Sequence, residues 1–164
     1  FIRMVEAIGG HYLANTTNPH NWGGTIMVAF TKASQNKSVP ETATLPKERI
    51  VEQYDLFRTH MTTFSKVARG IGGEIWGYGA AQMLPTLSYH MEDDLSFLVG
   101  IYDDCKFRPG LTYPHIPVRI HRPAEDLNLS HATVMITALD AVRPIMNRLR
   151  DFNPGYVLVP SAVY

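Results

Sequence analysis

The sequence contains a single cysteine, Cys105, among 164 residues. One thiol excludes an intrachain disulfide framework and a zinc site built from several thiolates. A net charge is also lacking, because 15 lysines and arginines balance 15 aspartates and glutamates. A protein that binds nucleic acid mainly by neutralising phosphates carries an excess of basic residues. We therefore expect no nucleic-acid partner.

Long apolar runs are missing as well. No run approaches the ~20 apolar residues that span a bilayer, and no segment has the pattern of a signal peptide. We expect a cytoplasmic protein with no membrane partner. The chain begins at Phe1 and enters an apolar segment at once, which favours a piece of a longer polypeptide.

Complete catalytic motifs do not occur either. No serine lies in a G-x-S-x-G elbow, and no G-x-x-x-x-G-K phosphate loop is present. The 7 histidines do not group at metal-ligand spacing, so we expect no metal site. Cys105 follows two aspartates, whose charge disfavours the thiolate that a nucleophile requires. We therefore assign no catalytic residue to this chain.

The first third of the chain divides at a polar stretch. Residues 25–30 (TIMVAF) follow a turn signal at residues 21–24 and predict a strand, with its partner at residues 4–8. Residues 31–44 combine lysines, serines and a proline without any aromatic residue, which is typical of a linker. The predicted organisation is a short strand pair within residues 1–30, a linker at 31–44 and a domain at 45–164.

The clearest periodicity follows the linker. Apolar residues recur at steps of four and three, which places them on one face of a helix. They are Ile50, Tyr54, Phe57, Met61, Phe64, Ala68 and Ile71. Thr44 is a plausible N-cap, Pro46 suits the first turn, and Gly70 suits the end. We interpret this segment as an amphipathic helix that packs on the core.

The remaining chain alternates between strand and helix patterns. Strands are predicted at residues 74–76, 97–102, 132–138 and 156–159. A glycine turn at residues 77–80 leads into a helix that begins near residue 81, and Asp140 is predicted to cap a helix at residues 141–150. Such alternation predicts an α/β fold, a Rossmann-like open and mostly parallel sheet with helices on both faces.

The glycine turn is the most informative candidate site. Gly77 and Gly79 allow tight backbone geometry, and the N-terminus of the following helix attracts a phosphate or a carboxylate. Asp103 and Asp104 end the next strand, where a Rossmann domain keeps an acid for a ribose hydroxyl. The third position of G-x-G-x-x-G holds Gln82, so the glycines could equally serve only as the corner between strand and helix.

The stretch at residues 103–119 follows the carboxyl end of a predicted strand, where ligands bind in open α/β sheets. It carries Lys106, Arg108, Tyr113 and His115, which suit contacts to a diphosphate or a base. Because it also contains three prolines, a rigid surface strap is the alternative interpretation.

These residues resemble the C-terminal domain of nucleotide-sugar C-methyltransferases. The matching residues of the glycine turn are Gly73, Ile75, Gly77, Tyr78, Gly79 and Ala80. Further along, the match comprises Asp103, Asp104, Gly110, Pro114, Ile116, Pro117 and Val118. The resemblance spans about residues 45–164 and includes the long helix before the turn. The segment at residues 22–25 (WGGT) is similar to a His-Gly-Gly-Ser segment at the end of that family's methyltransferase domain.

The resemblance implies a function for the whole polypeptide. Members of the family use S-adenosylmethionine to methylate a carbon of a keto sugar that is attached to a nucleotide diphosphate. Residues 1–30 would be the tail of the upstream, donor-binding domain. This chain would bind the nucleotide-sugar, pack on the upstream part of its own polypeptide and be inactive alone; self-association into a homo-oligomer is left open.

The resemblance also implies roles for particular residues. Gly77, Tyr78, Gly79 and Ala80 would approach the phosphates or the sugar. Asp103 and Asp104 would lie near hydroxyl groups, and Arg108 near negative charge.

Two other functions remain open on the residues alone. The chain could be part of an NAD(P)-type dinucleotide-binding oxidoreductase, in which Asp103 holds an adenosine ribose. It could instead be a non-catalytic interaction domain. The chain departs from the C-methyltransferase pattern at Gln82, Met83 and Leu84 after the turn, and at Trp22 and Met27 in the upstream segment.

Overall fold

The computed structural model describes residues 2–18, 25–32 and 46–160. The chain divides into two compact units, Phe1–Pro46 and Lys47–Tyr164. Residues 22–24 of the quoted upstream segment, residues 33–44 of the predicted linker and the proposed cap Thr44 lie outside the described residues.

The first unit contains a helix and a strand pair. Helix α1 spans Ile2–Ala7, and strands β1 (His11–Asn18) and β2 (Thr25–Thr31) pair antiparallel. The strand predicted at residues 25–30 is confirmed, but the partner predicted at residues 4–8 is wrong, because that segment is helical. A segment of five residues is too short for its pattern to distinguish a strand from a helix. Gly9 adopts a φ of 76°, and the Gly10 N–H donates to the Val5 carbonyl, which closes the helix there.

The second unit opens with helix α2, Lys47–Gly70, as the periodicity predicts. Met61, Ser65 and Ala68 are buried, whereas every residue from 47 to 60 is exposed. The prediction that this helix packs on the core is therefore correct for its second half. Ile50 and Tyr54 continue the same face but lie exposed beyond the core.

A five-stranded parallel sheet forms the centre of the second unit. Its elements are β3 (Ile75–Tyr78), α3 (Leu84–Met91), β4 (Ile101–Tyr102), β5 (Ile120–His121), β6 (Thr133–Ile136), α4 (Val142–Phe152) and β7 (Tyr156–Leu158). The strand order is β5-β4-β3-β6-β7, and every neighbouring pair is parallel. Strand β3 therefore lies in the middle of the sheet. Strands β4 and β5 lie on one side of β3 and strands β6 and β7 on the other, so the strand order reverses between β3 and β6.

Helices cover both faces of this sheet. On one face, Met61 of α2 and Leu87 of α3 join a cluster with Ile101 of β4. On the other face, Leu149 of α4 packs in a cluster with Ile136 of β6. The alternation of side chains along each strand supplies both clusters. The predicted Rossmann-like α/β fold, preceded by a strand pair, is confirmed.

Several predicted boundaries are wrong around the glycine turn. Strand β3 extends to Tyr78, so Gly77 and Tyr78 belong to the strand and not to the turn. Helix α3 begins at Leu84 rather than near residue 81, and Pro85 is its second residue. Proline suits that position because the first N–H groups of a helix have no intrahelical acceptor.

Three further expectations differ from the structure. The strand predicted at residues 97–102 is confined to its last two residues. Asp140 does not cap α4, since it lies in a single 3₁₀ turn, Leu139–Ala141, and no side-chain bond caps the helix. Strand β5 was not predicted, because only two residues between proline-rich stretches form it. Within the described ranges, no helix has both the length and the apolar character needed to cross a membrane.

Candidate functional site

The candidate site lies where the strand order reverses. In an open parallel sheet, ligands bind beyond the carboxyl ends of the strands at this switch point. Gly79 follows β3 and Thr137 follows β6, and the Thr137 Oγ1–H donates to the Gly79 carbonyl at 2.8 Å. The Thr137 N–H donates to the Tyr78 carbonyl at 2.9 Å. These two bonds hold the segments after both strands together.

A cleft of ≈ 280 Å³ opens at this point, which we call the glycine-turn cleft. Its lining comes from the last residue of β3 and from the segments that follow β3, β4 and β6. The lining residues are Tyr78, Gly79, Ala81, Asp103, Asp104, Arg108, Ala138, Ala141, Pro144, Ile145 and Arg148. The chemistry is mixed, since small apolar side chains form the walls while two carboxylates and two guanidinium groups surround them.

Gly79 is the residue that lets the two segments approach. Its φ is +101°, and a Cβ atom placed there would lie 2.5 Å from the Ala138 Cβ. Both the backbone conformation and the space therefore exclude a larger residue. Gly77 serves a different purpose, because a Cβ there would meet Ile101 at 2.9 Å in the core below the cleft.

Asp103 is the organising carboxylate of the cleft. Its Oδ2 accepts hydrogen bonds from the Ala80 N–H at 2.7 Å and the Arg108 Nη1 at 2.8 Å, and its Oδ1 accepts one from the Cys105 N–H at 2.8 Å. The side chain is only 8% exposed. Asp103 thus links the turn after β3 to the loop after β4, and most of its acceptor capacity is already used.

Tyr78 and Asp104 form the second polar group of the cleft. The Tyr78 hydroxyl donates to Asp104 Oδ2 at 2.9 Å, and Arg148 Nε lies 3.6 Å from Asp104 Oδ1. Burial, followed by the contact with the Asp104 carboxylate, raises the pKa of Tyr78 well above its usual value. Arg148 lowers this pKa only in part. The hydroxyl therefore keeps its proton at neutral pH and acts as a hydrogen-bond donor.

The stretch at residues 103–119 combines the two roles that the sequence left open. Ile116 and Val118 are buried, so part of the stretch belongs to the core. The Tyr113 hydroxyl donates toward the Ala80 and Ala81 carbonyls, at 2.9 and 3.1 Å, and fastens this strap to the glycine turn. Four residues of this stretch were predicted to contact a ligand: Lys106, Arg108, Tyr113 and His115. Among the described residues that line the glycine-turn cleft, only Arg108 belongs to this set.

The structure brings most of the predicted site residues to one place. Tyr78, Gly79, Asp103, Asp104 and Arg108 line the cleft. The other two candidates stand behind it. Gly77 faces the core, and Ala80 is fully buried with its N–H bonded to Asp103.

Residues of the segment after β6 complete the cleft and were not predicted. The main ones are Ala138, Pro144, Ile145 and Arg148. The signal that could have identified this segment is its position after an apolar strand neighbouring the glycine turn. Arg148 itself lies two turns inside α4, and nothing in the sequence indicates that its guanidinium reaches Asp104.

A larger hollow of ≈ 590 Å³ lies along the first half of α2. The described residues that line it, between Lys47 and Thr59, all belong to this one helix. A binding site draws polar groups from several elements toward one point, as the glycine-turn cleft does. We therefore place the candidate site at the cleft.

The described part of the chain contains no cluster of histidine, cysteine and carboxylate side chains that could hold a metal ion. Comparison with protein-family models gave no match, and comparison with curated proteins gave none either.

Proposed function

We propose that this chain is the C-terminal portion of a C-methyltransferase and that its glycine-turn cleft binds a nucleotide-diphosphate-linked sugar. The observation that carries the proposal is the position of two guanidinium groups, Arg108 and Arg148, beside the cleft at the switch point of the sheet. The likeness of the glycine turn and the proline-rich stretch to that family supplies the substrate class.

Hydrogen-bond donors in the cleft suit a diphosphate. Arg108 uses Nη1 for Asp103 and is 38% exposed, so other N–H groups of its guanidinium can reach a ligand. Ala81 lines the cleft, and its N–H carries no hydrogen bond to any described residue. A backbone N–H without a protein acceptor can donate to a phosphate oxygen. The Tyr78 hydroxyl adds a neutral polar group.

The chemical step would belong to another part of the polypeptide. Methylation at a carbon requires removal of a proton beside a ketone, and the carbanion then attacks the methyl group of S-adenosylmethionine. This chain would hold and orient the substrate while an upstream domain holds the methyl donor and the base. The cleft fits S-adenosylmethionine poorly. Asp103, the acid expected to bind the ribose of such a ligand, already accepts three hydrogen bonds. We further propose a cytoplasmic location.

The three hydrogen bonds of Asp103 also argue against the alternative of an NAD(P)-binding oxidoreductase. An NAD domain uses an acid at the end of the second strand to accept hydrogen bonds from both ribose hydroxyls. Asp103 occupies that position, but it bonds to Ala80, Cys105 and Arg108 instead. A nucleotide-sugar that places its phosphates beside the arginines requires no such acid.

Calorimetric titration of the purified chain with UDP, dTDP and GDP, in parallel with NADH, tests the proposal. We expect saturable binding of at least one nucleoside diphosphate and no binding of NADH. The substitution Arg108→Lys keeps the charge beside Asp103 but loses the forked donor geometry, and should weaken binding by roughly tenfold. Lys106→Met, in the same loop outside the cleft, is the control and should leave affinity unchanged. Binding of NADH alone, or equal affinities in both variants, would contradict the proposal.

A further inference from the structure

A second cavity adjoins the glycine-turn cleft. It measures ≈ 450 Å³ and is lined by Asp104, Arg122, Pro123, Ala124, Glu125 and Arg148. We call it the polar cavity. Asp104 and Arg148 line the cleft as well, so these two side chains form the boundary between the two spaces.

The boundary is loosely closed. Arg148 Nε and Asp104 Oδ1 are 3.6 Å apart, and the two side chains are 41% and 56% exposed. Such an exposed ion pair contributes little to stability, so a ligand can replace it at small cost. Other contacts hold Arg148 in place, because its guanidinium lies 4.6 Å from the centre of the Phe152 ring and donates to Asp151. Arg148 therefore stays available to a ligand at the boundary.

The polar cavity contains two groups without partners. The side chains of Arg122 and Glu125 make no hydrogen bond or ion pair with the other residues that the structure describes. With Asp104 and Arg148, they give the cavity two positive and two negative charges. A free phosphate there would meet two carboxylates, which disfavours an anion. A ring with adjacent hydroxyl groups suits the cavity, because a carboxylate accepts hydrogen bonds from hydroxyls and a guanidinium donates to them.

We propose that the polar cavity binds a sugar ring with adjacent hydroxyls. Arg122 and Glu125 contact those hydroxyls, and Arg148 contacts the phosphate that joins the ring to the rest of the ligand. The inference rests on the proposed function, which places the phosphates in the glycine-turn cleft. The ring is either the ribose of the nucleotide or the hexose attached to it, since both carry adjacent hydroxyls.

Calorimetric titrations of four proteins test this assignment: the unmodified chain, Glu125→Gln, Arg148→Met and, as a control on the outside of the same helix, Arg150→Met. The probes are pyrophosphate, dUDP, UDP and UDP-glucose. Arg148→Met should weaken all four probes by roughly tenfold, the usual effect of losing one charged hydrogen bond. Arg150→Met should change none.

The Glu125→Gln variant separates the two sources of the ring. A ribose in the cavity makes the unmodified chain prefer UDP over dUDP, and the variant loses this preference. A hexose makes the unmodified chain prefer UDP-glucose over UDP, and the variant loses that preference instead. Pyrophosphate affinity should be the same in the variant and the unmodified chain.

The outcomes distinguish this inference from the function on which it rests. If Arg148→Met weakens every probe but Glu125→Gln binds every probe as the unmodified chain does, the polar cavity is not a subsite and the proposed function stands. If Arg148→Met leaves the affinity for every probe unchanged, both the inference and the proposed function are contradicted. If the unmodified chain binds none of the probes, both proposals are overturned.

Discussion

At the scale of single residues, Gly79 determines whether the cleft can form. It combines a positive φ with the closest approach between the segments after β3 and β6. Gly110 is a useful comparison, because its φ is +84° but no atom lies within 4 Å of a Cβ placed there. Both glycines have a positive φ that disfavours other residues, but only at Gly79 would a side chain also collide with a neighbouring atom.

We predict that Gly79→Ala destabilises the fold more than Gly110→Ala. Both variants should lose about 1–2 kcal/mol from the unfavourable backbone conformation. Gly79→Ala should lose a further ~1–3 kcal/mol, because its new methyl group overlaps the Ala138 side chain. Urea unfolding followed by circular dichroism measures both values. Equal losses would mean that the segment after β6 moves away without cost.

The role of Asp103 illustrates what a sequence indicates at this scale. Because Asp103 follows a predicted strand, the sequence predicted that its carboxylate lies near the candidate site. The structure places Asp103 in the lining of the glycine-turn cleft. Its bond to the Ala80 N–H was not predictable, because Ala80 is 23 residues away in the chain. Cys105 and Arg108 are close in sequence, but the pattern does not show that their N–H groups turn toward Asp103. The sequence indicates which side chains reach the end of a strand, but the approach of two loops determines which of them remain free for a ligand.

At the scale of elements, a carboxylate joins α2 to the segment after α3. Asp93 Oδ2 accepts hydrogen bonds from the Ser65 hydroxyl and from Arg69 Nε, both at 2.6 Å. Its Oδ1 accepts a bond from the Leu95 N–H at 2.7 Å. Burial alone would raise the pKa of Asp93, but these hydrogen bonds outweigh it and hold the pKa below its usual value.

We predict that this contact makes stability depend on acid. Because the folded pKa of Asp93 is lower than the unfolded one, the contact contributes fully above the usual aspartate pKa. Its contribution is lost as the pH falls through the folded value. Asp93→Asn should therefore lose about 1–3 kcal/mol at pH 7 and show a shallower decline in stability between about pH 5 and pH 2. Urea midpoints across this range measure the effect.

Asp94→Asn is the matched control, since Asp94 contacts the same Arg69 but is 50% exposed. It should change the midpoint at pH 7 less than Asp93→Asn does. A pH profile of Asp93→Asn that parallels that of the unmodified chain would show that other carboxylates cause the acid sensitivity.

The elements also show why some predictions succeeded. Helix α2 was predictable because its 24 residues repeat one apolar pattern over several turns. Strand β5 has two residues and α1 has six, and such short segments carry too little periodicity to identify the structure. The order of the strands in the sheet was not predictable from the periodicity of any segment, because strand pairing depends on contacts between distant segments.

At the scale of the whole molecule, the buried apolar clusters belong to one unit. All residues of both clusters lie at or after Met61. Within the described part of Phe1–Pro46, the only buried hydrophobic side chain is that of Val5. A two-stranded pair with so little buried surface is marginal in water. The stability of the chain therefore comes from the second unit.

We predict that a fragment of residues 47–164 folds by itself. Its free energy of unfolding, extrapolated to water from a urea titration, should agree with that of the whole chain within about 10–15%, the uncertainty of the extrapolation. A fragment of residues 1–46 should give the circular dichroism spectrum of an unfolded peptide, because two strands and one short helix cannot offset the entropy of ordering them. The whole chain should unfold in a single transition that matches the transition of the 47–164 fragment. A 47–164 fragment with a clearly lower free energy of unfolding would show instead that the first unit stabilises the sheet.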